Sequence, residues 1–123
     1  MDKLSASLED YLEIIYNCNW LKTQIRAVDI SKQLKISRAS VTEALKKLAE
    51  KGYINYERYE AISLTDKGEE IAKNISTKHK LLQTFFEQVL NLTKDEASYN
   101  ACKIEHIITD NAFEKISEYM NNR

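Results

Sequence analysis

Residues 26–52 read RAVDISKQLKISRASVTEALKKLAEKG, and this stretch decides the fold. Apolar residues recur at helical spacing in two segments, on either side of a tight KIS turn. They are Val28, Ile30 and Leu34 in the first segment, and Val41, Leu45 and Leu48 in the second. Ser37 is a suitable N-cap for the second helix, and Gly52 can supply its left-handed stop. A short helix, a three-to-four-residue turn and a second helix is helix-turn-helix spacing.

The residues that follow Gly52 predict a β-hairpin. Two β-prone stretches, Tyr53 to Tyr56 and Ala61 to Leu64, lie on either side of a polar ERYE tip. Thr65 can then cap a long helix that runs from Asp66 to about Asn91. A hairpin directly after a helix-turn-helix is the wing of a winged helix.

The whole chain contains no proline and only two glycines, which favours helices in the remaining segments as well. A first helix begins at Ser5 or Ser7 and runs to about Asn19. Its apolar face is formed by residues at helical spacing, which are Leu8, Tyr11, Leu12, Ile15 and Tyr16. Thr93 and Glu96 make a capping box for a helix that carries residues 99–107, and a last helix covers Ala112 to Met120. The predicted fold is mainly α, an N-terminal winged helix-turn-helix (1–74) followed by a helical dimerisation domain (75–123).

Length and charge restrict the function. A chain of 123 residues can hold one DNA-binding unit and a helical arm, whereas a large catalytic cleft, and hence an enzyme, is not expected. The net charge is −1, but residues 22–58 contain nine Lys or Arg against four Asp or Glu. No apolar run approaches the roughly 20 residues that cross a bilayer, and the N-terminus is unlike a signal peptide. We therefore expect a cytoplasmic protein that binds nucleic acid and no membrane.

The second helix of the helix-turn-helix is the predicted DNA-reading element, because its first turns enter the major groove. Base-edge candidates there, with the cap, are Ser37, Arg38, Ala39, Ser40, Thr42 and Glu43; phosphate candidates are Lys46, Lys47 and Arg58. Glu43 can accept from a cytosine amino group, or it can pair with Lys46 or Lys47 instead. The same fold also serves as a protein-interaction module, with lysines that merely solvate a helix face.

Four possible metal donors lie in the second half of the chain: His79, Cys102, Glu105 and His106. Cys102-x-x-Glu105-His106 has i, i+3 and i+4 spacing, so three side chains can share one helical face. Asp10 and Glu13 are also three residues apart and suit a divalent cation. Alternatives stay open at this point: Asp10 and Glu13 as solvated charges, Cys102 as a small buried hydrophobe, and His79 as an exposed side chain.

Four segments together resemble the diphtheria toxin repressor family, which includes the manganese transport regulators. They are SLEDYLEIIY (7–16), the winged helix, KHKLLQTFF (78–86) and ACKIEH (101–106). The resemblance implies a dimeric metalloregulator in which a divalent metal joins the DNA-binding and dimerisation domains. It covers nearly the whole chain.

The resemblance also implies a ligand set, which combines two branches of the family. Asp10, Glu13, His79, Glu105 and His106 match the ligands of the manganese branch, in which a glutamate usually replaces Cys102. Cys102-x-x-Glu105-His106 matches the iron branch instead, where methionine usually replaces Asp10. That branch has an ancillary site with a glutamate and a histidine at the positions of Gln83 and Ser98, and a third, SH3-like domain. Since this sequence has neither feature, we expect the short, manganese-regulator architecture.

The sequence therefore predicts a metal-dependent repressor that binds a palindromic double-stranded DNA operator as a homodimer and controls metal-uptake genes. Fe(II) is slightly favoured over Mn(II), because the Cys102 thiolate is a softer donor than the carboxylates of Asp10 and Glu13. The alternative is a metal-independent winged-helix regulator. A metallo-hydrolase is disfavoured because no acid or base is held apart from the predicted ligands, and no organic small-molecule substrate is expected.

Overall fold

A computed structural model describes residues 4–20, 24–57 and 61–123. Its elements are α1 (Ala6–Trp20), α2 (Ala27–Leu34), α3 (Arg38–Glu50), β1 (Ile54–Asn55), β2 (Ser63–Leu64), α4 (Asp66–Gln88), α5 (Lys94–Ile104) and α6 (Asp110–Asn121). The chain divides into two compact units, Met1–Lys73 and Asn74–Arg123, so the division falls within α4. The mainly α fold with a winged helix-turn-helix is confirmed.

The caps and turns of unit 1 follow the predicted signals. Ser5 begins α1, where its hydroxyl accepts from the backbone N–H of Leu8 at 3.2 Å. Ser37 caps α3 by accepting from the N–H of Ser40 at 3.1 Å. Between α2 and α3 the chain turns through Lys35, whose φ of 57° is left-handed. Gly52, with a φ of 84°, provides the left-handed stop after α3, a conformation that disfavours side chains.

The hairpin is present but shorter than predicted, with two paired residues on each strand. Ile54 pairs with Leu64 and Asn55 with Ser63, in antiparallel register. The predicted second strand began at Ala61, but the N–H of Ile62 donates to the carbonyl of Ile25 at 2.9 Å. Because this donor is used outside the hairpin, the described ladder is confined to the base of the wing.

The core of unit 1 lies where α1, α2, α3 and the wing base meet. Its largest fully buried side chains are Leu12, Ile15, Ile30, Val41, Leu45 and Leu48. Burial of each such side chain contributes roughly 1.5–3 kcal/mol. The helical periodicity of the sequence therefore identified the face that packs inward.

Unit 2 contains the second part of α4 together with α5 and α6. Leu82, Ala97 and Ala101 are buried in it. The helix α4 ends at Gln88 rather than near the predicted Asn91, because Asn91 adopts a left-handed φ of 59°. None of the helices in the part of the chain that the structure describes is long and apolar enough to cross a membrane.

The helix α5 also ends earlier than predicted, at Ile104, with Glu105 as its C-cap. The N–H of Ile107 donates to the carbonyl of Ile104 at 2.9 Å, which closes a tight turn. Thr109 then takes an extended conformation (φ −71°, ψ 155°) to cap α6. Since few residues separate the two helices, α5 must stop before His106, and the prediction that this helix includes residues 105–107 was wrong.

Candidate metal centre and nucleic-acid interface

Glu105 is a buried carboxylate in unit 2, with 1% of its surface exposed. It keeps the right-handed helical conformation at the end of α5 (φ −54°, ψ −29°), and its N–H donates to the carbonyl of Ala101. Its Oε1 lies 3.0 Å from Nδ1 of His79 on α4, within hydrogen-bond distance. The structure therefore brings two of the predicted ligands into direct contact.

The second oxygen of this carboxylate, Oε2 of Glu105, is buried and has no hydrogen-bond partner among the described residues. A buried carboxylate oxygen without a partner is costly, and nearby cations offset that cost. Two donors that each lie about 2.1 Å from one ion, at the angle of about 90° of octahedral coordination, are about 3.0 Å apart. The spacing of His79 and Glu105 and the unused oxygen therefore fit a divalent metal.

Cys102 and His106 flank Glu105 in the chain, and both are half-buried. Cys102 lies one helical turn before Glu105, and this i, i+3 relationship holds because Glu105 retains helical geometry. His106 belongs to the turn after α5, so its side chain is positioned by that turn and not by the helix. The predicted shared face therefore applies to Cys102 and Glu105, while His106 lies just beyond the end of α5.

Asp10 and Glu13 lie on α1 in unit 1, one turn apart. Both side chains are half-buried, and the intervening residues Tyr11 and Leu12 are buried in the core of that unit. Burial also raises the pKa of the Tyr11 hydroxyl. Two carboxylates at this spacing share one face of the helix, where partial burial distinguishes them from fully solvated surface charges.

The helix α3 presents most of the predicted DNA-contacting residues to solvent. The exposed ones are Ser37, Arg38, Ala39, Ser40, Glu43, Lys46 and Lys47. Thr42 is half-buried, and Arg58 lies outside the described residues. The Ser37 hydroxyl also donates to the Ser40 hydroxyl at 2.9 Å, so the cap orients both side chains. An exposed basic helix with a fixed first turn suits a DNA groove.

Glu43 does not pair with Lys46 or Lys47 in the part of unit 1 that the structure describes. It lies in an open groove of about 370 Å³ between α3 and the start of α1, with Ser5, Tyr11 and Lys47 also in the lining. Sequence reasoning missed this groove, because the register between α1 and α3 has no local signal. Of the two roles that the sequence left open for Glu43, the pairing with Lys46 or Lys47 is therefore not observed among the described residues, and the contact with a cytosine amino group stays a prediction.

Two sequence families match this chain in succession. Residues 3–62 match the family described as "Iron dependent repressor, N-terminal DNA binding domain". Residues 65–123 match "Iron dependent repressor, metal binding and dimerisation domain". The two matches follow the order of the two compact units.

Individual relatives agree with these matches. An uncharacterized HTH-type transcriptional regulator of Methanocaldococcus jannaschii is 42% identical over 120 residues, which is 95% of this chain and 94% of the relative. The HTH-type transcriptional regulator MntR of Oceanobacillus iheyensis is 35% identical over 118 residues, covering 95% of this chain and 79% of the relative. Both alignments span nearly the whole chain.

Solved structures show the same fold. The manganese regulator SloR superposes with a TM-score of 0.83 at 30% identity, over 94% of this chain and 54% of SloR. A manganese-dependent transcriptional repressor in complex with manganese gives 0.85 at 27% identity, over 93% and 52%. This chain therefore spans about half the length of those two structures. From the sequence matches and this fold together, the chain belongs to the iron-dependent repressor family, which includes the diphtheria toxin repressor.

Proposed function

We propose that this protein is a metal-dependent transcriptional repressor that binds a palindromic operator as a homodimer and controls metal-uptake genes in the cytoplasm. The observation that carries the proposal is the buried carboxylate of Glu105, which contacts His79 and has one unused oxygen. Unit 1, in which the helix α3 exposes basic side chains, is proposed to supply the DNA-binding surface. Family membership supports a regulatory rather than a catalytic role.

The proposed metal ligands are Asp10, Glu13, His79, Cys102, Glu105 and His106. They come from both units of the chain, so an ion that they share would restrain one unit relative to the other. In a two-fold dimer, such a restraint selects the separation of the two recognition helices that matches successive major grooves, about 34 Å apart. The metal thus shifts the population of dimers toward the DNA-competent arrangement. The size of the shift depends on how much more tightly the metal binds that arrangement than the others. When bound, it supplies positive charge that neutralises the clustered carboxylates.

The metal itself is proposed as Fe(II) or Mn(II), with Cys102 as the residue that decides. A thiolate favours Fe(II) and later metals, whereas carboxylates suit Mn(II). The manganese regulator SloR and the manganese-bound repressor argue for Mn(II). Replacement Cys102→Glu should shift the relative affinity toward Mn(II), and Cys102→Ser should weaken Fe(II) binding more than Mn(II) binding. If each variant changed the affinities for Fe(II) and Mn(II) by the same factor, Cys102 would not determine which metal is bound.

Dimerisation is proposed to use the apolar surface of unit 2. Leu90, Tyr99, Ile107 and Tyr119 expose 51–73% of their surfaces, and Phe85, Phe86, Phe113 and Ile116 are half-buried. Leu82, by contrast, is buried in the core of unit 2, so the apolar side chains of this unit divide into core and surface. Large apolar side chains that are exposed together mark interaction surfaces, which supports this assignment.

The test is binding to a fluorescent palindromic operator fragment from upstream of the protein's own gene, under anaerobic conditions. Apo, Mn(II) and Fe(II) protein are compared, with Glu105→Gln as the variant that lacks the buried negative charge. A metal-dependent gain in affinity that this variant loses is the expected result. Specific binding of equal strength with and without metal would instead support the metal-independent regulator, in which Glu105 and His79 form a structural ion pair.

A further inference from the structure

The first turn of α4 is bound to the segment that follows the recognition helix α3. The hydroxyl of Thr65 donates to the carbonyl of Gly52 at 2.7 Å and accepts from the N–H of Gly68 at 3.1 Å. The backbone N–H of Thr65 donates to the carbonyl of Tyr53 at 3.1 Å. We call this set of residues, Gly52, Tyr53, Thr65 and Gly68, the wing-base clamp.

Gly68 allows the two segments of the wing-base clamp to approach closely. It is buried in the first turn of α4, and a Cβ built on it would overlap the carbonyl oxygen of Tyr53. Its φ is not left-handed, so glycine is required here for space and not for backbone freedom. Lys67 strengthens the same contact, because its Nζ donates to the carbonyl of Lys51 at 3.2 Å and lies 4.5 Å above the Tyr53 ring.

The clamped segment belongs to both parts of the proposed DNA-binding surface. Gly52 follows the C-cap of α3, and the N–H of Tyr53 donates to the carbonyl of Leu48 in that helix. Ile54, the next residue, begins β1 of the wing. The clamp therefore fixes the end of the recognition helix and the start of the wing against α4. The same helix carries the proposed ligand His79.

We infer that Thr65 is a positioning residue for operator binding, which transmits the state of α4 to the recognition helix through the carbonyl of Gly52. The inference rests on the proposed function, since it needs a metal-responsive repressor. Thr65 caps its own helix as well. Thr93 and Thr109 also cap helices, but their hydroxyls accept from N–H groups within the first turns of α5 and α6. What distinguishes Thr65 is the donated bond to a residue 13 positions earlier.

The test compares Thr65→Val with wild type, the rescue variant Thr65→Ser and the matched control Thr109→Val. Both valine variants remove an N-cap hydroxyl, and Thr65→Val also leaves the carbonyl of Gly52 without its donor, so this variant should lose somewhat more thermal stability than Thr109→Val. Operator affinity is measured at saturating Mn(II), together with Mn(II) affinity, oligomeric state and the salt dependence of binding. We expect Thr65→Val to bind the operator about tenfold more weakly, Thr65→Ser within about twofold of wild type, and Thr109→Val unchanged. Mn(II) affinity measured without DNA should be unchanged in all three.

Three results would overturn the inference. Thr65→Val could bind the operator as wild type does, or lose no more than Thr109→Val. Its affinity for scrambled DNA, measured alongside, could fall by the same factor as its operator affinity, which would make Thr65 a sequence-independent contact to the DNA backbone instead. Its Mn(II) affinity could fall in parallel, which would place the defect at the metal site. By contrast, wild-type protein that binds the operator equally with and without metal contradicts the proposed function, and the metal-transmitting role of Thr65 with it.

Discussion

Nδ1 of His79 lies 3.0 Å from Oε1 of Glu105, and this contact joins α4 to the end of α5. The carboxylate is 1% exposed, whereas the side chain of His79 is 23% exposed. Burying a carboxylate with one unsatisfied oxygen costs free energy, and a purely structural ion pair would not offset that cost. A bound cation would offset it, so the arrangement is the one expected of a metal ligand.

Replacement Glu105→Gln should remove most of the metal affinity, because a neutral amide is a poorer ligand than a carboxylate of nearly the same shape. Loss of residues that merely support metal ligands costs about 10–100-fold, so a loss of at least about 100-fold is expected here. Isothermal titration with Mn(II) measures it. The control is Asp95→Asn, an exposed carboxylate on the same helix. Affinity that Glu105→Gln retains would argue against this carboxylate as a ligand.

Metal should stabilise the folded protein by mass action, since the ligands are brought together by folding. At a free Mn(II) concentration about 100 times Kd, the free energy of unfolding should rise by about 2.7 kcal/mol. Denaturant unfolding with Mn(II) and with a chelator measures the difference. An unchanged unfolding midpoint would indicate that no such site forms in the folded state.

Leu45→Ala should destabilise unit 1 by about 2–5 kcal/mol, because Leu45 is fully buried in its core and the shorter side chain leaves a cavity. The neighbouring residue Lys46 is exposed, and Lys46→Ala should change stability by less than about 0.5 kcal/mol. Chemical denaturation of both variants tests the assignment of the two faces of α3. Equal destabilisation would contradict it.

Arg38→Ala and Lys47→Ala should affect operator binding in different ways, because the two residues are proposed to contact bases and phosphates respectively. Lys47→Ala should weaken binding to all sequences alike and reduce the salt slope by about one. Arg38→Ala should cost about 1–3 kcal/mol and relax the preference at one base pair of the operator. Anisotropy titrations over a salt series on operator and scrambled DNA separate the two. If both variants changed the salt slope and the base preference in the same way, the assignment of Arg38 to bases and Lys47 to phosphates would be contradicted.

Much of the fold was predictable because its signals are local. Helix caps and apolar stripes act within a few residues of the chain, and the structure confirms the predicted ones. They are the caps at Ser37, Thr65 and Thr93, the stop at Gly52, and the apolar stripes of α1 and α3. One failure concerns a contact between distant segments: the described hairpin ladder is short where the N–H of Ile62 donates to the carbonyl of Ile25. The other is local, since α5 ends at Ile104 in a tight turn that the periodic apolar pattern did not indicate.

The candidate site was predictable to the level of residue types, but not of contacts. Spacing placed Cys102 and Glu105 on one face, whereas no periodicity in the sequence indicates that His79 meets Glu105 across two helices. Gly68 carried no signal either, since its requirement comes from the carbonyl of Tyr53, fifteen positions earlier in the chain. The need for glycine at position 68 becomes clear only when the segment that packs against it, around Tyr53, is known.

The central claim, that metal binding and operator binding are coupled, is tested most directly by measuring Mn(II) and Fe(II) affinity with and without saturating operator DNA. Linkage requires that if metal tightens DNA binding by some factor, DNA tightens metal binding by the same factor, typically about 5–150-fold. We predict equal factors in the two directions for the wild type and no such gain for Glu105→Gln. Metal affinity that is the same with and without operator would contradict the account.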